Sequence, residues 1–391
     1  MINNNLILNK SIWEKLFHSW KTNKLPHALL FHGPEGSGKE GHAIELAGLI
    51  NCNSIDNINP CGKCYSCKKI KKIQHENVKL ILPLPRGKIK SSSDSTTKSF
   101  TEKSLNEYIS QVSIKSKNPY YQIHIPGANT ILINSIREIK RDISLNTINN
   151  QWKIILIFQS EKLCIPNQEA ANSILKILEE PPKKTLFILV SSHPNSIIST
   201  ILSRCQNIYF PPLAVNNIKK ILENKIKDPN DSQIIANISL GNMRTALELT
   251  KTFPEAIRNL NCIINACFIN NPKLWSESIE LLTKLKNSNF QMMNQLFYFT
   301  ILFFRDLLYY SYSGETTKII FINNIKKIES INQKYQNINW DLCINNIEKT
   351  QNYINRNGYL PLHMTCLFTS FQKILKKEPY NSFDLNDWVQ L

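Results

Sequence analysis

Residues 27–50 read "HALLFHGPEGSGKEGHAIELAGLI", and the order of their parts constrains the fold more than any other stretch of the chain. "ALLF" is a short continuous apolar run, which suits a strand buried on both faces of a parallel sheet. Glycines follow at 33, 36 and 38, then Lys39, and then a helical pattern. Strand, glycine-rich turn and helix form the context in which a G-x-x-x-x-G-K loop cradles phosphates. Backbone N–H groups can approach an anion closely where side chains are missing, and the lysine adds a point charge. Gly33, Gly36, Gly38 and Lys39 are therefore candidate nucleotide-binding residues. The loop departs from the pattern at its end, where Glu40 replaces the serine or threonine hydroxyl that would ligate magnesium. A carboxylate there could take the metal but would repel the phosphates. The preferred reading is an acidic residue favoured by the first turn of a helix.

Further strands are expected at "KIILIF" (153–158) and "TLFILVSS" (185–192). Between and around them, "SIWEKLFHSWKTNK", "INSIREIKRDISL", "NQEAANSILKILEEPP" and "NSIISTILSRC" read as helices, the third stopped by Pro181 and Pro182. Strands alternating with helices predict a parallel α/β sheet. Residues 84–120, rich in Ser, Lys and Thr, read as a solvated insertion. From about residue 213 onward only helical periodicity remains. The longest apolar stretch, "LFYFTILFFRDLLYY" at 296–310, contains Arg305 and Asp306 and is too short to span a bilayer. It reads as a buried helix.

A chain of 391 residues exceeds one ordinary core. With 42% hydrophobic and 20% charged residues it falls outside the disordered class. "MINNNLILNK" lacks the charged start and apolar core of an export signal, so a cytoplasmic protein with no membrane partner is expected. A formal charge of +17 suits a nucleic-acid partner, and it suits equally well a chain-wide bias toward Lys, Asn and Ile.

Of 10 cysteines, Cys52, Cys61, Cys64 and Cys67 form the pattern C-x8-C-x2-C-x2-C. Two residues between thiolates let one tight turn aim both sulfurs at one ion. Four thiolates complete a tetrahedral shell with no open position, so a structural zinc is expected rather than a catalytic one. The remaining cysteines read as small core residues.

In order along the chain, the glycine loop, the four-cysteine module, "AANSILKILEEPP" and "SRC" resemble the clamp-loader subunits of bacterial DNA polymerase III, members of the AAA+ class. The resemblance covers the first 250 residues and reaches more weakly to "IEKTQNYINRNGYLPLHMTCL" (347–367). It implies an AAA+ α/β domain over 1–212 with its zinc module at 52–67, a helical lid over 213–252 and an all-α collar for oligomerisation over 253–391. The implied partners are gamma/tau and delta subunits, a sliding clamp and primed DNA, within the polymerase holoenzyme. Arg204 of "SRC" would act as an arginine finger, delivered to the ATP site of a neighbouring subunit. Arg244 of "SLGNMRTALEL" matches the lid arginine that reaches the γ-phosphate of its own subunit.

Hydrolysis further requires an acidic pair after the second strand, one carboxylate for magnesium and the next for the attacking water. Here Phe158 and Gln159 stand in that place, and Glu161 would have to curl back from the following loop. The chain is thus expected to lack ATPase activity of its own, while Lys39 leaves open the binding of ATP or ADP without turnover. The alternative is an ATP-hydrolysing motor subunit that tolerates these substitutions.

Overall fold

The three apolar runs form the inner strands of a parallel sheet, and two edge strands not expected from the sequence complete it. The computed structural model describes residues 1–89, 91, 94–144 and 151–378. Its first compact unit comprises residues 1–221 and 239–246. The elements begin with α1 (Lys10–Lys21), β1 (Ala28–His32) and α2 (Lys39–Ile50), then a short hairpin of β2 (Ile55–Asp56) and β3 (Asn59–Pro60). Next come α3 (Tyr65–Lys71), β4 (Val78–Ile81), α4 (Glu102–Lys117), α5 (Ile133–Ser144) and β5 (Lys153–Phe158). They close with α6 (Glu169–Glu179), β6 (Thr185–Ser191), α7 (Ser199–Leu202), β7 (Gln206–Tyr209) and most of α8 (Val215–Glu223). The strand order is β4-β5-β6-β1-β7, parallel throughout. This order, with helices on both faces, fits the AAA+ fold.

Side chains alternate between two apolar layers, as a period of two requires. Leu29 and Phe31 of β1, Leu156 and Phe158 of β5 and Ile188 of β6 join α2 and Trp13 of α1 on one face. Ala28, Leu30, Ile155, Ile157 and Leu189 pack on the other with α5, α6 and Ile201 of α7. The region expected as one helix, "NSIISTILSRC", is instead a 3-10 turn at Pro194–Ser196 followed by the single turn of α7. Ile197 and Ile198 have extended backbone (ψ 137° and 143°), which separates the two turns.

The solvated insertion expected over 84–120 is a correction. Thr101 and Ser104 form a reciprocal capping box that starts α4. Tyr108 and Val112 of that helix, with Phe100, pack against Leu82, Ile123, Ile125 and Ala128. Gln111 and Lys115 are buried with them. Residues 90, 92 and 93 of this region lie outside the described residues.

The second unit comprises residues 222–238 and 247–391. The part of the expected collar at 379–391 lies outside the described residues. The remaining helices are α9 (Pro229–Ile238), α10 (Met243–Phe268, its first turn in the first unit), α11 (Pro272–Ser288), α12 (Phe290–Ser313), α13 (Ile325–Lys334), α14 (Trp340–Asn355) and α15 (Leu360–Leu375). The long apolar stretch is α12, which packs on α13 and α14 and buries Phe303, Phe304 and Leu307. Among the described residues no helix is long and apolar enough to cross a membrane.

Asp306 is the one acid on the buried part of α12, and it is used for closure. Its Oδ1 accepts from Ile320 N at 3.0 Å and its Oδ2 from Phe321 N at 2.8 Å, while burial pushes its carboxyl up to about 6. Asp306→Ala strands both buried donors and is expected to destabilise this unit by about 3 kcal/mol. Asp306→Asn keeps one acceptor and should lose less, as measured by denaturant titration of the full chain.

Candidate functional site

The phosphate-type loop keeps its backbone geometry. A β-carbon on Gly33 (φ 144°) would meet Phe210 O at 2.1 Å, and one on Gly36 (φ 68°) would meet Asn242 Oδ1 at 1.9 Å. Both positions accordingly need glycine. Met243 N donates to Gly36 O at 3.3 Å, which ties the first turn of α10 to the loop. The lysine of the loop is turned inward. Lys39, 5% exposed, donates from Nζ to Gly33 O at 2.7 Å and to Pro34 O at 2.6 Å. Burial lowers its pKa to about 8 against the opposing pull of Glu40, Glu35 and Glu161. Its ammonium is engaged with the loop's own carbonyls.

Glu40 has a partner that its position in the sequence does not reveal. Lys115 of α4, with a side chain 1% exposed, donates from Nζ to Glu40 Oε2. It also donates to Pro119 O at 2.9 Å and Tyr121 O at 2.6 Å, and it lies 5.5 Å from the ring centroid of Phe158. Burial alone would drive this ammonium toward neutrality, and the Glu40 carboxylate opposes that. Glu40 is therefore more than a favourable first-turn acid. It is the counter-ion of a buried lysine.

The remaining cleft residues come from several elements. Gln159, in the left-handed region at φ 53°, donates from Nε2 to Ile123 O at 3.1 Å. Glu161 does curl back. It sits on a 3-10 turn over Ser160–Cys164, is 8% exposed, and its Oε2 accepts from Ser191 Oγ at 2.6 Å. Arg244 lines the same cleft and donates from Nη1 to Gln122 Oε1. Lys39, Glu40, Lys115, Glu161 and Arg244 thus share one depression with Gly36 and Gly38, and the water-sized space left within it is about 40 Å³. That is room for a few waters. Arg204 does not line this cleft. It follows α7, where Glu179 Oε1 accepts from its Nε at 2.8 Å.

Cys52, Cys61, Cys64 and Cys67 converge, with all four sulfurs within 4.8 Å of one another. Cys61 and Cys67 Sγ are 3.9 Å apart, Cys67 and Cys52 Sγ 3.6 Å. The edge of a tetrahedron with metal–sulfur bonds of about 2.3 Å is roughly 3.8 Å, so this cluster could hold a metal. Backbone N–H groups already point at the sulfurs: Cys64 N and Lys63 N at Cys61 Sγ, Cys67 N at Cys64 Sγ and Cys61 N at Cys52 Sγ. The Cys64 N–H bond, with that of Lys63, holds the Cys61 thiol down near 6, whereas burial pushes Cys67 and Cys52 up. A dication at the centre would hold all four as thiolates.

The family model described as DNA polymerase III, delta subunit, matches residues 8–214. The chain belongs to this clamp-loader family. Its relatives in the family include the DNA polymerase III subunit delta' of Bacillus subtilis, 26% identical over 244 residues, which are 62% of this chain and 60% of that protein. The subunit tau of the same organism is 30% identical over 233 residues, 58% of this chain and 33% of tau. The chain thus spans less than two thirds of the delta' relative and about a third of tau. A DNA polymerase III gamma subunit-related protein from Thermotoga maritima overlaps 93% of this chain and 99% of its own, at 13% identity and a TM-score of 0.36, which is too slight to argue from.

Residues 84–120 hold the functional group that sequence reasoning missed. Leu105, Tyr108, Ile109 and Val112 stand at helical spacing inside that polar stretch and are the available signal for α4. Lys115→Met, which leaves Glu40 without its counter-ion in a mostly buried place, should cost about 3 kcal/mol. The double variant Lys115→Met/Glu40→Gln should recover most of that loss in thermal or denaturant unfolding.

Proposed function

We propose that the chain is the delta-prime-type subunit of a DNA polymerase III clamp loader, a partner that does not hydrolyse ATP and that lends Arg204 to the ATP site of a neighbour. The carrying observation is that both ammonium groups at the phosphate loop are already bound within the chain, Lys39 by Gly33 O and Pro34 O and Lys115 by Glu40. A triphosphate with magnesium would have to displace the first and repel the carboxylate of the second pair. Phe158 and Gln159 add to this, since neither supplies the metal-supporting carboxylate. In this reading Arg244 serves packing and hydrogen bonding, as in its bond to Gln122, rather than a γ-phosphate.

The domains are proposed as an AAA+ module over 1–212, a lid over 213–252 and an oligomerisation collar over 253–391. The partners would be gamma/tau and delta subunits, the sliding clamp and primed DNA, in the cytoplasm. The delta' name of the Bacillus subtilis relative supports the assignment. The motor-type alternative draws on the 30% identity with tau and on the return of Glu161 to the cleft. Steady-state hydrolysis by the purified chain separates the two. We expect none above background, and turnover of about 1 per second or more would establish the motor reading. Glu40→Ser should not confer ATPase activity either, because it restores the hydroxyl but strands Lys115.

In the complete loader, Arg204→Ala is expected to slow ATP hydrolysis at the one motor site that this chain abuts while leaving assembly intact. The guanidinium stabilises charge that develops on the transferring phosphoryl group, and such fingers contribute factors of about 10³ or more at their own site. Total ATPase should fall by only a fraction, since other sites keep their own arginines. Clamp loading at an unchanged rate would defeat the finger assignment.

Structural zinc is proposed at Cys52, Cys61, Cys64 and Cys67. Elemental analysis should find one zinc per chain, and Cys64→Ser should lose the metal and lower the melting temperature of the α/β domain. Normal folding without zinc would count against the site.

A further inference from the structure

Two of the motifs meet through charge. Arg204 donates from Nε and from Nη2 to a single oxygen, Glu179 Oε1, the first bond at 2.8 Å. On its other side Nη1 donates to Thr200 O at 2.7 Å. Ser203 Oγ donates to the same carbonyl at 3.2 Å. Cys205, 8% exposed, is anchored in the apolar layer that also holds Ile201 and Leu178. The triplet "SRC" therefore has a division of labour. Serine closes the end of α7, cysteine pins the chain, and arginine is held out between them. Glu179 is the last residue of α6 and the first glutamate of "LEEPP", where Pro181 keeps the helix from continuing.

We propose that Glu179 is a positioning residue for Arg204, setting the direction of the guanidinium before a neighbouring subunit's nucleotide arrives. This rests on the reading of Arg204 as a finger. A free arginine samples many rotamers, and fixing it only when the ring closes would subtract from catalysis. Here a carboxylate and a main-chain carbonyl hold the guanidinium from both sides. The pair is also suited to letting go. The Arg204 and Glu179 side chains are 29% and 47% exposed, and ion pairs in such surroundings are weak. A triphosphate carrying several negative charges outcompetes one hydrated carboxylate for the same cation. Glu179 aims the group without retaining it.

The test uses this chain assembled with its ATP-hydrolysing partner subunits, comparing Glu179→Ala, Glu179→Gln, Arg204→Ala and Glu179→Ala/Arg204→Ala. Loss of orientation should reduce kcat at the abutting site by roughly tenfold with little change in KM. Glu179→Gln keeps an acceptor oxygen and should restore part of the rate. The double variant should be no slower than Arg204→Ala alone, because Glu179 acts through the arginine. If Arg204→Ala slows the site while Glu179→Ala matches or exceeds the unmodified rate, the positioning role is wrong and the finger stands. Additive losses in the double variant would overturn it too. If Arg204→Ala itself has no effect, the finger reading fails and the role of Glu179 falls with it.

Discussion

Strand β1 has no side facing water between Ala28 and Phe31, and the first unit is organised around that fact. A strand in this position needs hydrogen-bonded neighbours on both edges, which β6 and β7 supply, and apolar cover on both faces. The cover comes from α2 with α1 on one face and from α5, α6 and α7 on the other. Because α2 must roof the strand it follows, the chain has to reverse within the loop at 33–38. The glycines at that turn are spoken for by neighbouring backbone and side chain whether or not a phosphate ever binds. Loop geometry alone is thus no sign of nucleotide chemistry in this chain.

The ammonium groups at that turn are hydrogen-bonded within the chain, Lys39 to the carbonyls of Gly33 and Pro34 and Lys115 to the Glu40 carboxylate and the carbonyls of Pro119 and Tyr121.

The three inner strands were legible because strands buried on both faces leave continuous apolar runs, as in "KIILIF" and "TLFILVSS", whereas the edge strands β4 and β7 carry exposed positions and were missed. The cysteine module was legible because ligand spacing is a local property. The cover helix α4 was hidden, since the polar residues of 84–101 dominate the composition around its short apolar stripe. The Lys115–Glu40 pair spans 75 positions, and no periodicity or spacing rule reports a contact at that separation. The path of Glu161 was not legible for a related reason. Its return to the cleft depends on the left-handed turn at Gln159, a conformation that glutamine's identity does not announce.

One acceptor in the segment 200–205 is a main-chain atom. Thr200 O takes both the Ser203 hydroxyl and an Arg204 nitrogen, so no side chain chosen at position 200 can remove it. What the segment cannot absorb is a change in length. One residue inserted between Thr200 and Arg204 would change the offset at which Ser203 Oγ and Arg204 Nη1 reach that carbonyl and shift the guanidinium relative to Glu179. The spacing of this short turn is therefore under tighter constraint than its composition, and homologous loaders should differ here by substitution and not by insertion.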